Sequence, residues 1–202
     1  MAQVRTRLRR PQRRTSILEA GTSVFAAHGY HAASMRDVAE AAEIAKPILY
    51  DHFGSKQGLY VAVLESIRDE LTSGTEAAMR ERAPVDIRVR DAIDGFFRYA
   101  ESRPAAAKVL FTAPEGELEV VRAWERVQAE ATARLVALVA AERGKASDGR
   151  DEELRLELWM EFLKKGLHGL AGWWAAHPRV PRRALVNAAM DVAWSGLATR
   201  LT

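Results

Sequence analysis

Between residues 45 and 56 the chain reads AKPILYDHFGSK, and within it stand Lys46, Tyr50, His52 and Lys56. Ammonium, phenol and imidazole groups this close together can donate to the oxygens of a polyanion. Ser34, three residues ahead of Asp37, offers a hydroxyl and free backbone N–H groups at a helix start, a ready anion site. Arg5, Arg7, Arg9, Arg10, Arg13 and Arg14 crowd the beginning of the chain. The formal net charge is only +3, yet residues 1–60 carry +4 and the rest −1, so all the excess positive charge lies in the first third. A near-neutral body with a basic head is suited to a polyanion at that end.

The same inventory argues against catalysis. With no cysteine there is no disulfide, thiolate zinc site or cysteine nucleophile. HExxH and GxGxxG are absent, and the Gly-Lys at 144–145 lacks the earlier glycine of a phosphate loop and follows a helix rather than a strand. His28 and His31 straddle Gly29, so they do not share a helical face as paired ligands would. The expectation is no enzyme, no metal and no cofactor. No apolar run approaches the ~20 residues that span a bilayer. No apolar segment follows the basic start as in a secretory signal, so a cytoplasmic protein is expected.

The elements that must position these groups read as helices throughout, and the fold class is all-α with about nine of them. Residues 1–12 show no apolar pattern and are expected to form a disordered basic arm. From Arg13, Ile17, Leu18, Gly21, Val24 and Phe25 recur at helical spacing until Gly29. Ser34 and Asp37 make a capping-box pattern for a short second helix carrying Met35, Val38 and Ala39. Pro47 is tolerated only in a first turn, so a third helix starts near Ala45 or Lys46 and ends before Gly54. Two short helices joined by so tight a turn form a helix-turn-helix. Leu49 and Phe53 anchor its second helix, leaving Lys46, Pro47, Tyr50 and Asp51 to face outwards. Ser55 caps a fourth helix.

The stretch SMRDVAEAAEIAKPILYDHFGSKQGLYVAVL, Ser34 to Leu64, preceded by FAAHGYHAAS, resembles the DNA-binding head of TetR-family transcriptional regulators. That resemblance implies that Ser34, Tyr50, His52 and Lys56 meet phosphates and that Lys46, Pro47 and Ile48 approach base edges, with Arg36 nearby on the crossing helix. Arg9, Arg10, Arg13 and Arg14 belong to an arm of the kind that enters a minor groove. The sequence departs from the pattern at the turn, where Glu43 stands for a common glycine, and at the recognition-helix start, where Ala45 stands for a common serine. A left-handed Glu43 costs on the order of 1 kcal/mol, and a missing cap about as much.

The domains expected are the arm at 1–12, the DNA-binding head at 13–56, and a ligand-binding and dimerisation body at 57–202. Residues 151–176 are apolar round most of their circumference, as in a helix buried on two sides. With the last helix they are expected to pair with a second copy through Leu167, Leu170, Trp174, Ala189, Ala193, Gly196 and Leu197, as in the resembling family. Phe96, Phe97, Tyr99, Phe111, Trp124, Trp159 and Phe162 supply an aromatic interior. Phe96, Tyr99, Phe111, Trp124, Trp159 and Phe162 are candidates for a ligand pocket, with Arg126 and Glu161 as polar tips.

Shorter pieces, GFFRYAE and VAWSGL among them, resemble actinobacterial TetR-type regulators of fatty-acid synthesis, which implies long-chain acyl-CoA as a candidate inducer. The function expected is a homodimeric repressor on a near-palindromic operator in double-stranded DNA, released by an apolar small molecule. The alternative is a ligand-independent or architectural DNA binder, which a closed, fully packed interior would favour.

Overall fold

Proline, glycine and capping side chains set the helix boundaries in a computed structural model that describes residues 10–143 and 150–201, with the backbone alone for 142–143 and 195–201. These residues form nine α-helices and no strand: α1 (Arg10–Ala32), α2 (Met35–Ala41), α3 (Lys46–Phe53), α4 (Lys56–Met79), α5 (Val85–Ser102), α6 (Pro104–Phe111), α7 (Leu118–Arg143), α8 (Arg150–Ala175) and α9 (Arg182–Leu201). Gly29 breaks α1 at φ 71° and ψ 173°, where the glycine stop was expected. Pro104 opens α6 rather than merely closing α5. Helix α1, however, starts at Arg10, not Arg13. Pro11 sits in its first turn, where the missing N–H has no partner to lose. The disordered-arm expectation therefore fails for residues 10–12, while Arg5, Arg7 and Arg9 lie outside the described residues.

One core runs through both halves of the molecule. Ile17, Phe25, Val38, Leu49, Leu59, Val63 and Leu64 of the first four helices pack with Ala106, Val109 and Leu110 of α6 and with Val120, Trp124 and Val127 of α7. Helix α4 begins in the head and continues into the body as a single rod. A second core joins Ile93 and Phe97 of α5 to Ala171 and Trp174 of α8 and to Leu185, Val186, Ala189 and Met190 of α9.

Helix α8 is buried on one side only. Met160, Lys164, Ala171 and Trp174 face inwards, but Leu154, Leu158, Phe162 and Trp173 stay 48–65% exposed, as does Val192 of α9 at 64%. The expected second burial is absent within this chain, and most of the residues assigned to a partner contact are already used. Trp174 donates Nε1–H to the Val180 carbonyl at 2.7 Å and meets Phe97 edge-on. Ala189 and Ala193 are buried, since their small side chains let α9 pack closely within the chain. Leu170 packs on the second core and Leu167 lines a cavity. Of Gly196 and Leu197 only the helical backbone is described.

Candidate nucleic-acid interface

The local geometry from α2 to α3 follows from its caps. Ser34 Oγ accepts from the Asp37 N–H at 3.2 Å while Asp37 accepts from the Ser34 N–H at 2.9 Å, closing the capping box. Hydrogen bonds to its carboxylate, from the Ser34 hydroxyl first and then from the Ser34 N–H, hold the Asp37 carboxyl below its ordinary range. After Ala42 the chain must reverse, and it does so through Glu43 at φ 52°, the one non-glycine residue with positive φ among the described residues. The Ile44 N–H then reaches back to the Ala39 carbonyl at 3.0 Å. Ala45 caps α3 with no side-chain hydrogen bond, and Pro47 presets its first turn.

Helix α3 is held by Leu49, which is wholly buried, and by Phe53, which is partly buried rather than core outright. Arg14 lies over the outer face of the Phe53 ring, 5.3 Å from its centroid. Lys46, Pro47, Tyr50 and Asp51 are exposed; Ile48 and His52 are half-buried. The Lys46 ammonium stands 5.7 Å from the Tyr50 ring centroid, so the two present one cationic and hydrogen-bonding patch. Arg36 is exposed and paired with Glu40 at 2.7 Å. Arg10 is exposed and Arg13 half-buried, whereas Arg9 is outside the described residues.

Lys56 has a structural task that sequence reading missed. Its ammonium donates to the His31 carbonyl at 3.0 Å and sits 4.4 Å from the Tyr30 ring centroid, clipping the end of α1 to the start of α4. Gly58 allows that junction, because a Cβ there would lie 2.2 Å from the Phe53 carbonyl oxygen. His31 is also touched from the body. Gly116, at φ +100°, lies so close that a Cβ on it would be 1.7 Å from His31 Nε2. Tyr30 and Tyr60 pack edge-on beneath, and burial pushes the Tyr60 hydroxyl up to about 12.

Inside the body lies a cavity of about 140 Å³. Leu71, Thr72 and Met79 of α4, Ile93 and Phe96 of α5, Leu110 of α6, Gln128 and Leu135 of α7, and Met160, Lys164 and His168 of α8 contribute to its wall. Of the six aromatic candidates only Phe96 lines it. Tyr99 turns to the surface to donate to Glu70 at 3.0 Å. Phe111 stacks on His168 from behind, 4.1 Å between centroids. Trp124 is buried against the Leu110 carbonyl, to which it donates at 3.0 Å. Trp159 packs into a small third cluster, and Phe162 is 65% exposed on the outer face of α8. The aromatic spacing marked core and surface; the wall is mostly aliphatic.

The cavity's charged group is Lys164, whose ammonium donates to the Gln128 carbonyl at 2.8 Å, Thr132 Oγ1 at 2.6 Å and the Glu161 carboxylate at 2.7 Å. Burial lowers the Lys164 ammonium, while three acceptors hold its charge. For Glu161 burial opposes ionisation, but the hydrogen bonds from Lys164 and Thr132 win and hold it below its usual range. Arg126 does not line the cavity, and Glu161 reaches it only through Lys164. Among the described residues no group of three or more His, Cys, Asp or Glu could hold a metal ion. No described helix is long and apolar enough to cross a membrane.

A capped short helix, a tight turn and a second short helix with one anchored and one exposed face define a helix-turn-helix protein. The chain matches, over residues 17–63, the family described as bacterial regulatory proteins, tetR family. It is 41% identical over 105 residues to the HTH-type transcriptional activator FasR of Mycolicibacterium smegmatis, a match covering 52% of this chain and 48% of that protein. The chain thus spans about half the length of the curated relatives it matches. Its fold extends further. The fatty acid degradation regulator FadR of Bacillus halodurans superposes with a TM-score of 0.75 over 91% of this chain and 98% of that one, at 18% identity. FadR of Bacillus subtilis in complex with stearoyl-CoA gives 0.74 over 90% and 98%, also at 18% identity.

Proposed function

We propose that the chain is a sequence-specific, DNA-binding transcriptional regulator that acts as a homodimer and leaves its operator when an apolar small molecule enters the body. The observation that carries this is α3, whose Leu49 is fully buried while Lys46, Pro47 and Tyr50 are exposed at the N-terminal end that enters a major groove. Lys46, Pro47 and Ile48 are assigned to base edges. Ser34, Tyr50, His52 and Lys56 are assigned to phosphates, with Arg36 and the arm residues Arg9, Arg10, Arg13 and Arg14 adding charge. We take 13–56 as the head and 57–202 as the body, and the cytoplasm as the setting.

The dimer surface we assign is the uncovered face of α8, Leu154, Leu158, Phe162 and Trp173, with Val192 of α9. A helix face this apolar fits an obligate contact better than open solvent. A two-fold pair would set two recognition helices about one DNA turn apart on an inverted repeat. Helix α4 supports the ligand response, because one end stands in the head at Lys56 and the other lines the cavity with Leu71, Thr72, Thr75 and Met79. A ligand acts by binding one spacing of the heads more tightly than the other. The stearoyl-CoA held by the Bacillus subtilis FadR makes a long-chain acyl-CoA a candidate inducer. The open cavity weighs against a ligand-independent architectural protein.

Selecting bound duplexes from a random DNA library tests the reading. Enrichment of a near-palindrome supports it, and placing that site ahead of a reporter then gives the sign, read here as repression. Binding without enrichment, fading only as salt rises, would sink it in favour of an architectural protein.

A further inference from the structure

The cavity wall is aliphatic apart from a few polar groups, and nearly all of these are already engaged. Thr72 Oγ1 donates to the Arg68 carbonyl at 2.9 Å and Thr75 Oγ1 to the Leu71 carbonyl at 3.2 Å. The Gln128 amide donates to the Leu110 carbonyl at 2.7 Å. An ammonium has three hydrogens, and all three of Lys164's are placed, one of them on a carboxylate that matches its charge.

His168 differs from all of these. Its ring lies parallel to Phe96, with centroids 5.8 Å apart and planes within 11°, and against Phe111 at 4.1 Å. The stack fixes the plane of the imidazole, but the hydrogen bonds among the described residues include none to its nitrogens. A neutral imidazole carries one donor and one acceptor, here at the wall of an apolar cavity. Burial, then the charges of Lys164 and Lys165 with Glu161 opposing, press the ring down to about 3, so it stays neutral at ordinary pH.

We propose that the cavity takes an apolar ligand bearing one uncharged hydrogen-bonding oxygen, such as an alcohol or an ester, and that His168 is the residue that reads this oxygen. A carboxylate is the wrong class. Its desolvation in an aliphatic cavity goes uncompensated when the lysine is already matched by Glu161 and no arginine lines the wall. This inference rests on the ligand-cavity reading given above.

The test is calorimetry on the full chain at neutral pH with n-octanol, methyl octanoate, sodium octanoate and iodobenzene, which cannot replace the hydrogen bond. The alcohol and the ester should bind at least about tenfold more tightly than octanoate. His168→Phe keeps a ring in the stack; it should weaken n-octanol about fivefold and leave iodobenzene unchanged. The His168 side-chain nitrogen resonances should move with n-octanol and not with iodobenzene. That readout decides alone should His168→Phe fail to fold. Octanoate binding as tightly as octanol would overturn the ligand class. Equal weakening of octanol and iodobenzene, or still nitrogen resonances, would reduce His168 to plain wall. If octanol and iodobenzene both bind but at the protein surface, the cavity reading itself falls. Failure of every probe to bind the wild type would do the same, and this inference would go with it.

Discussion

The head and the body solve opposite problems. In the head, the groups assigned to bases and phosphates lie between Ser34 and Lys56. Apart from Lys56, which is tied to His31 on another helix, their positions are set mostly by neighbours three or four residues away. The capping box, Pro47 and the buried Leu49 decide which side chains stay in water. In the body, the cavity wall is assembled from α4, α5, α6, α7 and α8, and its polar groups meet partners far along the chain, as Lys164 meets Gln128 and Thr132. A surface that meets a polyanion needs exposed donors on a rigid support. A cavity needs its donors satisfied except where a ligand will take them. The head is therefore written in spacing and the body in topology.

The largest test of this contrast is Gly58→Val, where the new Cβ would meet the Phe53 carbonyl oxygen. Overpacking against backbone should cost about 3 kcal/mol or more. Because α1–α4 share their core with α6 and α7, the denaturant midpoint of the whole chain should fall in a single transition. A separate, early transition of the head would break the shared-core picture. Next comes acid stability. His168 is depressed from 6.5 to about 3 in the folded chain, so below pH 6.5 the unfolded chain takes up a proton that the folded one refuses. Stability should fall as pH drops through that window, and His168→Phe should flatten the slope.

Glu43→Gly comes third. Relieving φ 52° should stabilise the chain by about 1 kcal/mol in thermal melts, and removing the carboxylate should tighten operator binding. An unchanged melting temperature would mean that the turn holds Glu43 by contacts worth its strain. The smallest effect on stability belongs to the exposed face. Arg10→Ala should stay within about 0.5 kcal/mol of the parent yet flatten the log–log salt dependence of DNA binding by about 0.9. Lys46→Ala should be as mild to the fold but relax preference at one base position. Uniform weakening across duplexes would move Lys46 to the phosphates instead.

Much of the head was legible from sequence because its determinants are local. Ser34 and Asp37, Gly29 and Pro47 stand as their spacing implied, and Glu43 is left-handed, as the glycine common at that turn in the resembling family suggests. The start of α1 was missed because residues 10–12 carry no apolar periodicity, yet a first turn accepts Pro11 and the polar residues around it. In the body, Trp124 and Phe162 are equally apolar in sequence, yet one is buried against the Leu110 carbonyl and the other faces solvent. Only helix packing separates them. His168 offered no signal at all, since its meaning comes from Phe96 and Phe111, far away along the chain and stacked beside it. The Lys56 clip was hidden for the same reason: its acceptor at His31 belongs to another helix.

The close approach of Gly116 to His31 bears on how such proteins can be recombined. A chimaera that joins this head to another body at the α3–α4 junction would keep Ser55 and Lys56 and look seamless on paper. It would still place a foreign loop where only a bare glycine fits beside the imidazole. The workable graft carries the stretch from Thr112 to Glu117 along with the head, so the unit of exchange is discontinuous in sequence.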